Sequence, residues 1–354
     1  MIKEFNLLRE KWVLVLDSKG NSREVSLIEA FQAAYIIKCL AGELQAQDIA
    51  VLRLMLAVLY SVFTRVSIDG DYKELTNERQ AVNRWVDLWK SRRFPIEPIE
   101  DYLNRYSERF YLFHEHTPFY QVPITVNIGT EFAAAKLIGD LAESANKPNV
   151  FAERARSLKN GVTYSEAVRW LLYLNAYDDI SVSPKLRKGL GIGRLGKLGL
   201  VYAAGDNLFE TLMLNFSLLS DQNERFRPGK AVWEKELYIT DRALVKTPAS
   251  PAELLTLQSR RISLLRDNGT VTGYKLYGGD IMNEENAFIE HMTRWGKDDD
   301  EKRDVYKPKR LNPYKPLWRK FPALIMNTEK TKRPGVIEWL AVLTKKGLIS
   351  GNIG

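Results

Sequence analysis

The sequence predicts an irregular α+β globular domain, and three observations carry that expectation. Helical and strand-like stretches succeed one another without regular alternation, which argues against a doubly wound sheet. No internal repeat and no low-complexity segment interrupts them, which removes a solenoid or a fibrous array. The 354 residues are 45% hydrophobic, enough to bury a sizeable core in one large or two moderate units.

The elements follow in order. WVLVLD, from Trp12 to Asp17, runs into the turn SKGNSREV and reads as a hairpin. Ser26 and Glu29 stand at capping-box spacing before LIEAFQAAYIIKCL, whose apolar stripe predicts a helix reaching Cys39. Cys39 therefore reads as core. It is the only cysteine, so an intrachain disulfide and a thiolate metal cluster are both excluded. A second helix, over about residues 47–64, is apolar on most faces and should lie at the centre of the core. Arg53 interrupts its apolar run, so a membrane span is not expected and the chain reads as cytoplasmic. Trp85, Leu88 and Trp89 mark a third, amphipathic helix, and Pro95 and Pro98 break the pattern before IEDYLNRYSERF.

Thr163 and Glu166 form another capping box, opening a helix that continues through Asn175. Asp206 or Asn207 can cap LFETLMLNFSLL, and Ser250 with Pro251 starts a short helix at PAELLTLQ. Strands are expected at LGLVY, from Leu198 to Tyr202, at RISLLR, VTGYKLY and FPALIM.

Charge points toward a polyanionic partner. The net charge is +8, yet residues 146–200 hold 10 Lys/Arg against 4 Asp/Glu, and residues 301–346 hold 13 against 4. Everything outside these two stretches sums to −7. Concentrated Lys and Arg bind phosphate backbones by releasing condensed counterions, while the alternative is a pair of solvated basic loops.

Motifs for chemistry are weak. GIGRLG places Gly191, Gly193 and Gly196 in a GxGxxG pattern, but SPKLRKGL precedes it and the strand-like KLGLVY follows. A dinucleotide site needs the reverse context. The glycines do offer backbone amides flanked by Lys185, Arg187, Lys188, Arg194 and Lys197. His114 and His116 are two apart and read as turn or core residues, with a metal pair as the alternative. DDDEKRD, at 298–304, reads as a solvated loop, since two-metal sites draw carboxylates from separated rigid elements. YKPKRLNPYKPLWRK interleaves Tyr306, Tyr314 and Trp318 with cations, a pattern that suits base stacking and extended core cover equally.

Taken together, FNLLREKWVLVLD, VSLIEAFQAAYIIKCLAGELQAQDIAVLRLMLAVLYSVF, RFYLFHEHTPFYQVP, NKPNVF, and LGKLGLVYAAGDNLFETLMLN followed by PAELLTLQSRRISL resemble the CasA family. Its members are large subunits of the type I-E CRISPR surveillance complex Cascade. The segments occur in the family's order and cover most of the chain. The resemblance implies the CasA N-terminal type of domain over 1–354, without the C-terminal four-helix bundle with which members usually continue. It implies no enzyme activity, no cofactor and no metal. The implied partners are the other Cascade subunits, the CRISPR guide RNA, double-stranded target DNA and a helicase-nuclease effector.

Site residues follow from the same resemblance. A loop that contacts the guide-RNA handle would match residues 146–157, with Lys147, Asn149, Val150 and Phe151 at its apex and Arg154 and Arg156 behind; the alternative is a plain surface loop with Phe151 in the core. A glycine loop that reads the protospacer-adjacent motif would fall within 181–193, taking in Lys185, Arg187, Lys188, Gly189 and Gly191, with Arg194 next to it. A lysine finger would fall near Lys275, and a strand-separating wedge around Thr344 to Lys346, taking in Lys345. The first half of that glycine loop is SVSPKLRK, and the wedge lacks the glutamine known from some members. The competing function is a metal-dependent nucleic-acid-processing enzyme built on scattered carboxylates such as Asp206, Asp280 and Glu290.

Overall fold

A computed structural model describes residues 2–126, 129–138, 141, 153–177, 193–220, 223–237, 245–297, 304–310 and 321–349. Strand β1 (Lys3–Asn6) is followed by the expected hairpin of β2 (Val13–Asp17) and β3 (Ser22–Val25), in register from Val13 opposite Val25 to Leu16 opposite Ser22. Asp17 shapes the turn: its Oδ1 accepts the amides of Lys19 and Asn21, each at 2.8 Å. The capping box is present, with the Ser26 amide donating to Glu29 Oε2 at 2.8 Å and the Glu29 amide donating to Ser26 Oγ at 3.1 Å.

Helix α1 (Leu27–Gln32) is much shorter than its apolar stripe predicts. Residues Ile37–Leu40 form β4 instead, because the edge of β2 accepts them, with Leu16 opposite Cys39 and Val15 opposite Leu40. The assignment of Cys39 to the core is thereby corrected: Ile37 points inward and Cys39 is exposed. Removing the Ser26 hydroxyl by Ser26→Ala leaves an orphan amide at the start of α1 and should cost about 1 kcal/mol in chemical denaturation.

Helix α2 (Gln45–Phe63) is long and apolar enough to cross a membrane, but 83% of its most apolar window is buried inside the fold, as befits a central core helix. Helix α3 (Glu78–Ser91) is capped by Asn77, buries Trp85 and Leu88, and ends where Arg92 turns left-handed at φ 55°. Helix α4 (Ile96–Arg105) keeps Pro98 within its first turn, where the missing amide has no helical acceptor to lose. Strand β5 (Tyr111–His114) then returns to pair with β1.

Beyond it come β6 (Thr130–Ala133), α5 (Ala134–Leu137) and α6 (Tyr164–Tyr177), the last opened by Thr163 and Glu166, whose side chains each accept the other's amide. Asn207, rather than Asp206, caps α7 (Leu208–Asn215). This helix stops before FSLL because the Asn215 amide group folds back onto both backbone polar groups of Ala203. Two short strands, β7 (Leu219–Ser220) and β8 (Asn223–Glu224), form a ribbon. They precede β9 (Val245–Lys246) and the Ser250-capped α8 (Pro251–Leu255). The longest strands, β10 (Arg260–Asp267) and β11 (Thr270–Gly278), match the sequence expectation and join β6 in an antiparallel sheet of order β10-β11-β6.

Strand β12 (Ile281–Met282) pairs with β9, while β13 (Trp295–Lys297), β14 (Tyr306–Pro308) and β15 (Thr331–Lys332) form a sheet of order β14-β13-β15. FPALIM is a helical turn, α9 (Pro322–Ile325), not a strand, since Pro322 occupies a first-turn position that suits it. LGLVY runs beside the 290s, held by one bridge from Leu200 to Thr293, without becoming a strand. Helix α10 (Gly335–Lys345) closes the described chain. One contiguous hydrophobic cluster extends from Leu7 to Leu343, and Trp85 of α3 meets Trp339 of α10 edge-on at 5.9 Å. The architecture is α+β, with helices at the centre and several small, mostly antiparallel sheets around them.

Candidate nucleic-acid interface

The basic stretch 146–200 lies partly within the described residues. Lys147, Asn149, Val150 and Phe151 lie outside the described residues, as do Lys185, Arg187, Lys188, Gly189 and Gly191. Arg156 is exposed and holds a left-handed backbone at φ 52°. Arg154 is committed within the protein: its guanidinium pairs with Glu43 at 2.9 Å and with Glu166, the α6 capping residue, at 2.6 Å. That bond ties Arg154 to the first turn of α6.

Arg194 is also committed. It lies in the turn that follows the 178–192 segment, and its Nη2 bonds Glu290 Oε2. Arg53, the residue that broke the apolar run of α2, grips the same carboxylate in a bidentate pair at 3.0 and 2.9 Å. Arg53 is 3% exposed and Glu290 1%, so the triad is buried. Burial alone would raise the Glu290 pKa; the charges of Arg53 and then Arg194 outweigh it and hold the carboxylate far below its usual range. Next to it, Gly193 leaves no room for a side chain: a Cβ would sit 2.5 Å from the Ala176 carbonyl oxygen.

The second basic stretch is organised by a sheet the sequence did not suggest. Lys307 lies opposite Gly296, and Lys332 opposite Trp295. At Gly296 the Lys309 stem packs against the bare backbone, and a Cβ there would meet it at 2.8 Å and displace it. Tyr306 is buried against Phe288, donates its hydroxyl to the Glu329 carbonyl at 2.8 Å, and carries the ammonium groups of Lys297 and Lys332, each 5.4 Å from its ring centroid. Between stacking on bases and covering a core, Tyr306 does the second; Tyr314 and Trp318 lie outside the described residues. Lys275 is half-buried on β11, between Ser263 and Glu131 in register. Thr344 and Lys345 are exposed at the C-terminal end of α10, where the helix dipole favours cations. The structure does not bring Lys275, Thr344 or Lys345 into contact with Arg156 or Arg194 through any described bond or pair.

The carboxylates of the competing reading are scattered. Asp280 is paired with Arg261 at 2.9 Å, Asp206 is exposed beside the α7 cap, and both oxygens of Glu290 are taken by guanidinium groups. No group of three or more His, Cys, Asp or Glu side chains suited to a metal occurs among the described residues. His114 serves its turn, its Nδ1 accepting the amides of His116 at 3.1 Å and Thr117 at 2.9 Å. A cavity of about 530 Å³ lies between β5 and β10, lined by Ile2, Phe113, His114, Ile124, Leu264 and Arg266; of the residues the sequence singled out for chemistry, His114 reaches it.

Sequence reasoning missed Glu290 as the partner of Arg194, because 96 positions separate them. Comparisons with known proteins place this arrangement in a family. The CRISPR-associated protein Cse1 profile matches residues 6–351. The CasA/Cse1 protein of Thermus thermophilus is 28% identical over 332 residues, which cover 92% of this chain. The chain spans 61% of the length of that relative. The crystal structure of Thermobifida fusca Cse1 superposes with a TM-score of 0.78 at 27% identity, over 98% of this chain and 68% of that one. A chain of a CRISPR RNA-guided surveillance complex shares the fold at a TM-score of 0.74 and 18% identity, over 95% of this chain and 68% of its own. A family match spanning nearly all of the sequence, carried by the same α+β fold, means that this chain belongs to the Cse1 family of CRISPR-associated proteins.

Proposed function

We propose that the chain acts in the cytoplasm as a non-catalytic subunit of a CRISPR RNA-guided surveillance complex. It contacts the guide RNA, reads the protospacer-adjacent motif in duplex DNA, and helps recruit the helicase-nuclease that destroys the target. The observation that carries this reading is the family match over residues 6–351 in a chain whose excess positive charge is confined to two stretches. Phosphate contacts supply affinity in such a protein, and a few side chains supply selectivity. The carboxylates available to a metal-dependent enzyme favour the same reading, since Glu290 and Asp280 are held in ion pairs.

The test is a gel-shift titration of guide-RNA complex lacking its large subunit, with and without this chain, on duplexes that carry or lack the motif. Motif-dependent gain of binding is expected, and affinity should fall steeply with salt. Absence of gain on every duplex, or metal-dependent cleavage abolished by substituting Asp206 or Asp280, overturns the reading.

A further inference from the structure

Among the described residues, the buried cluster around Glu290 carries more positive than negative charge. Arg53 and Arg194 share its one carboxylate, and the adjacent His291 is neutral at pH 7 because burial pushes its pKa down to about 3. Each oxygen of Glu290 already accepts two bonds: Oε1 takes Arg53 Nη1 and the Met292 amide, and Oε2 takes Arg53 Nη2 and Arg194 Nη2. The other contacts of the two guanidinium groups are thioethers, Met292 Sδ at 3.5 Å and Met282 Sδ at 3.2 Å, which bring no charge. Glu284 attracts Arg194 without bonding it, and burial still holds the Arg194 pKa below its usual value. Arg225 and Glu338, buried nearby, offset one another. One positive charge is therefore left over in a site shielded from bulk water, where an unmatched charge is costly.

A cavity of about 40 Å³ opens on this cluster, lined by Arg53, Arg194, Tyr120, Leu172, Leu254 and Ser259. A water needs roughly 10–15 Å³ of such space, so there is room for two or three waters or for one halide ion. Three donors on the lining residues bond to nothing in the described chain and are not sealed by packing: Arg53 Nε, Arg194 Nη1 and the Tyr120 hydroxyl. Tyr120 reaches the site from a left-handed backbone at φ 54°, a conformation that costs an aromatic residue energy and persists where the surroundings enforce it. Burial raises its pKa, so the hydroxyl keeps its proton and remains a donor. The Ser259 amide is already engaged by Asn175 Oδ1 at 2.9 Å.

We propose that this cavity is a binding site for a monovalent anion of halide size, chloride above all, held by the Arg53 and Arg194 guanidinium groups and the Tyr120 hydroxyl. The ion completes the charge balance of the cluster that joins α2 to the 290s and to the turn at Arg194. The site needs no nucleic acid and so stands apart from the recognition role proposed above.

The full chain is unfolded in urea with sodium chloride or sodium gluconate at equal ionic strength, gluconate being too large for the cavity. A site half-filled at about 15 mM chloride raises the folded-to-unfolded ratio roughly tenfold at about 150 mM, and gluconate should not reproduce the rise. Chloride NMR reads the bound ion directly: the folded chain should broaden the resonance, and bromide should narrow it again by competition. Tyr120→Phe removes one donor and no charge, and should weaken the apparent chloride affinity by roughly tenfold. Arg194→Met removes the surplus charge and should abolish both responses. Equal stability in the two salts, or no broadening by the folded parent, overturns the proposal. A parental response in either variant also overturns it, since the anion then binds elsewhere or without the hydroxyl assigned to the site. Should Arg194→Met not fold, Tyr120→Phe carries the test.

Discussion

Glu290→Gln is expected to destabilise the fold by roughly 3–5 kcal/mol, because it leaves two guanidinium groups in a buried site without a counter-charge. The denaturation midpoint should fall accordingly. Exchanging all three members for apolar residues of similar volume, Arg53→Met with Glu290→Leu and Arg194→Met, should recover most of that loss, since desolvation of the charges disappears with them. A Glu290→Gln midpoint within experimental error of the parent's would mean that water reaches the site. The same cluster sets an acid limit. Burial, and then the charge of Arg225, push the neighbouring His291 pKa down from 6.5 to about 3. Between those values the unfolded chain binds a proton that the folded chain refuses, so stability rises with pH across the window and is lost as pH falls through it. Glu290 adds to the loss below the ordinary carboxylate range, because its folded-state pKa is depressed. Asp48 works in the opposite sense, its carboxyl pushed from 3.8 up to about 6 by burial. Replacing His291 by Phe should therefore flatten the stability profile between pH 6.5 and 4, and an unchanged profile would remove His291 as its origin.

What the sequence made legible, and what it hid, divides by range. Ser26 with Glu29, Thr163 with Glu166, and Ser250 before Pro251 were readable because both partners of each cap lie within three residues. Strands β10 and β11 were readable as the runs RISLLR and VTGYKLY, although their pairing as a hairpin was not read from the sequence. Ile37–Leu40 was not, because an apolar run serves a buried helix or a strand equally and β2, twenty-odd residues back, decided the matter. For the site, clustered charge was visible along the chain, yet the fate of each cation was not. Arg154 and Arg194 count toward the basic stretch and are both consumed by carboxylates from distant elements. Gly193 was visible only as a glycine in a motif of the wrong context, and its reason is contact with the end of α6.

Lys185, Arg187 and Lys188 are among the cations that the sequence assigns to nucleic acid in the first stretch, and replacing all three by Ala should have the largest effect on binding. If each neutralises one phosphate of duplex DNA, their loss lowers the magnitude of the slope of log affinity against log salt by about 2.7. At 0.1 M salt that difference corresponds to a loss of roughly several hundred-fold, shrinking toward nothing near 1 M. The signature is therefore a fan of lines that converge at high salt, equal for duplexes with and without the motif, because phosphate contacts carry no sequence information. A contrasting result is equally sharp. Loss confined to motif-bearing duplex, with an unchanged slope on other DNA, would mean that these side chains reach base edges. In the minor groove such contacts distinguish mainly A·T from G·C, so a preference relaxed to that single distinction would follow. A variant with parental slope and parental affinity on both duplexes would assign the electrostatic role to the second basic stretch, where Lys307 and Lys332 lie on the β14-β13-β15 sheet.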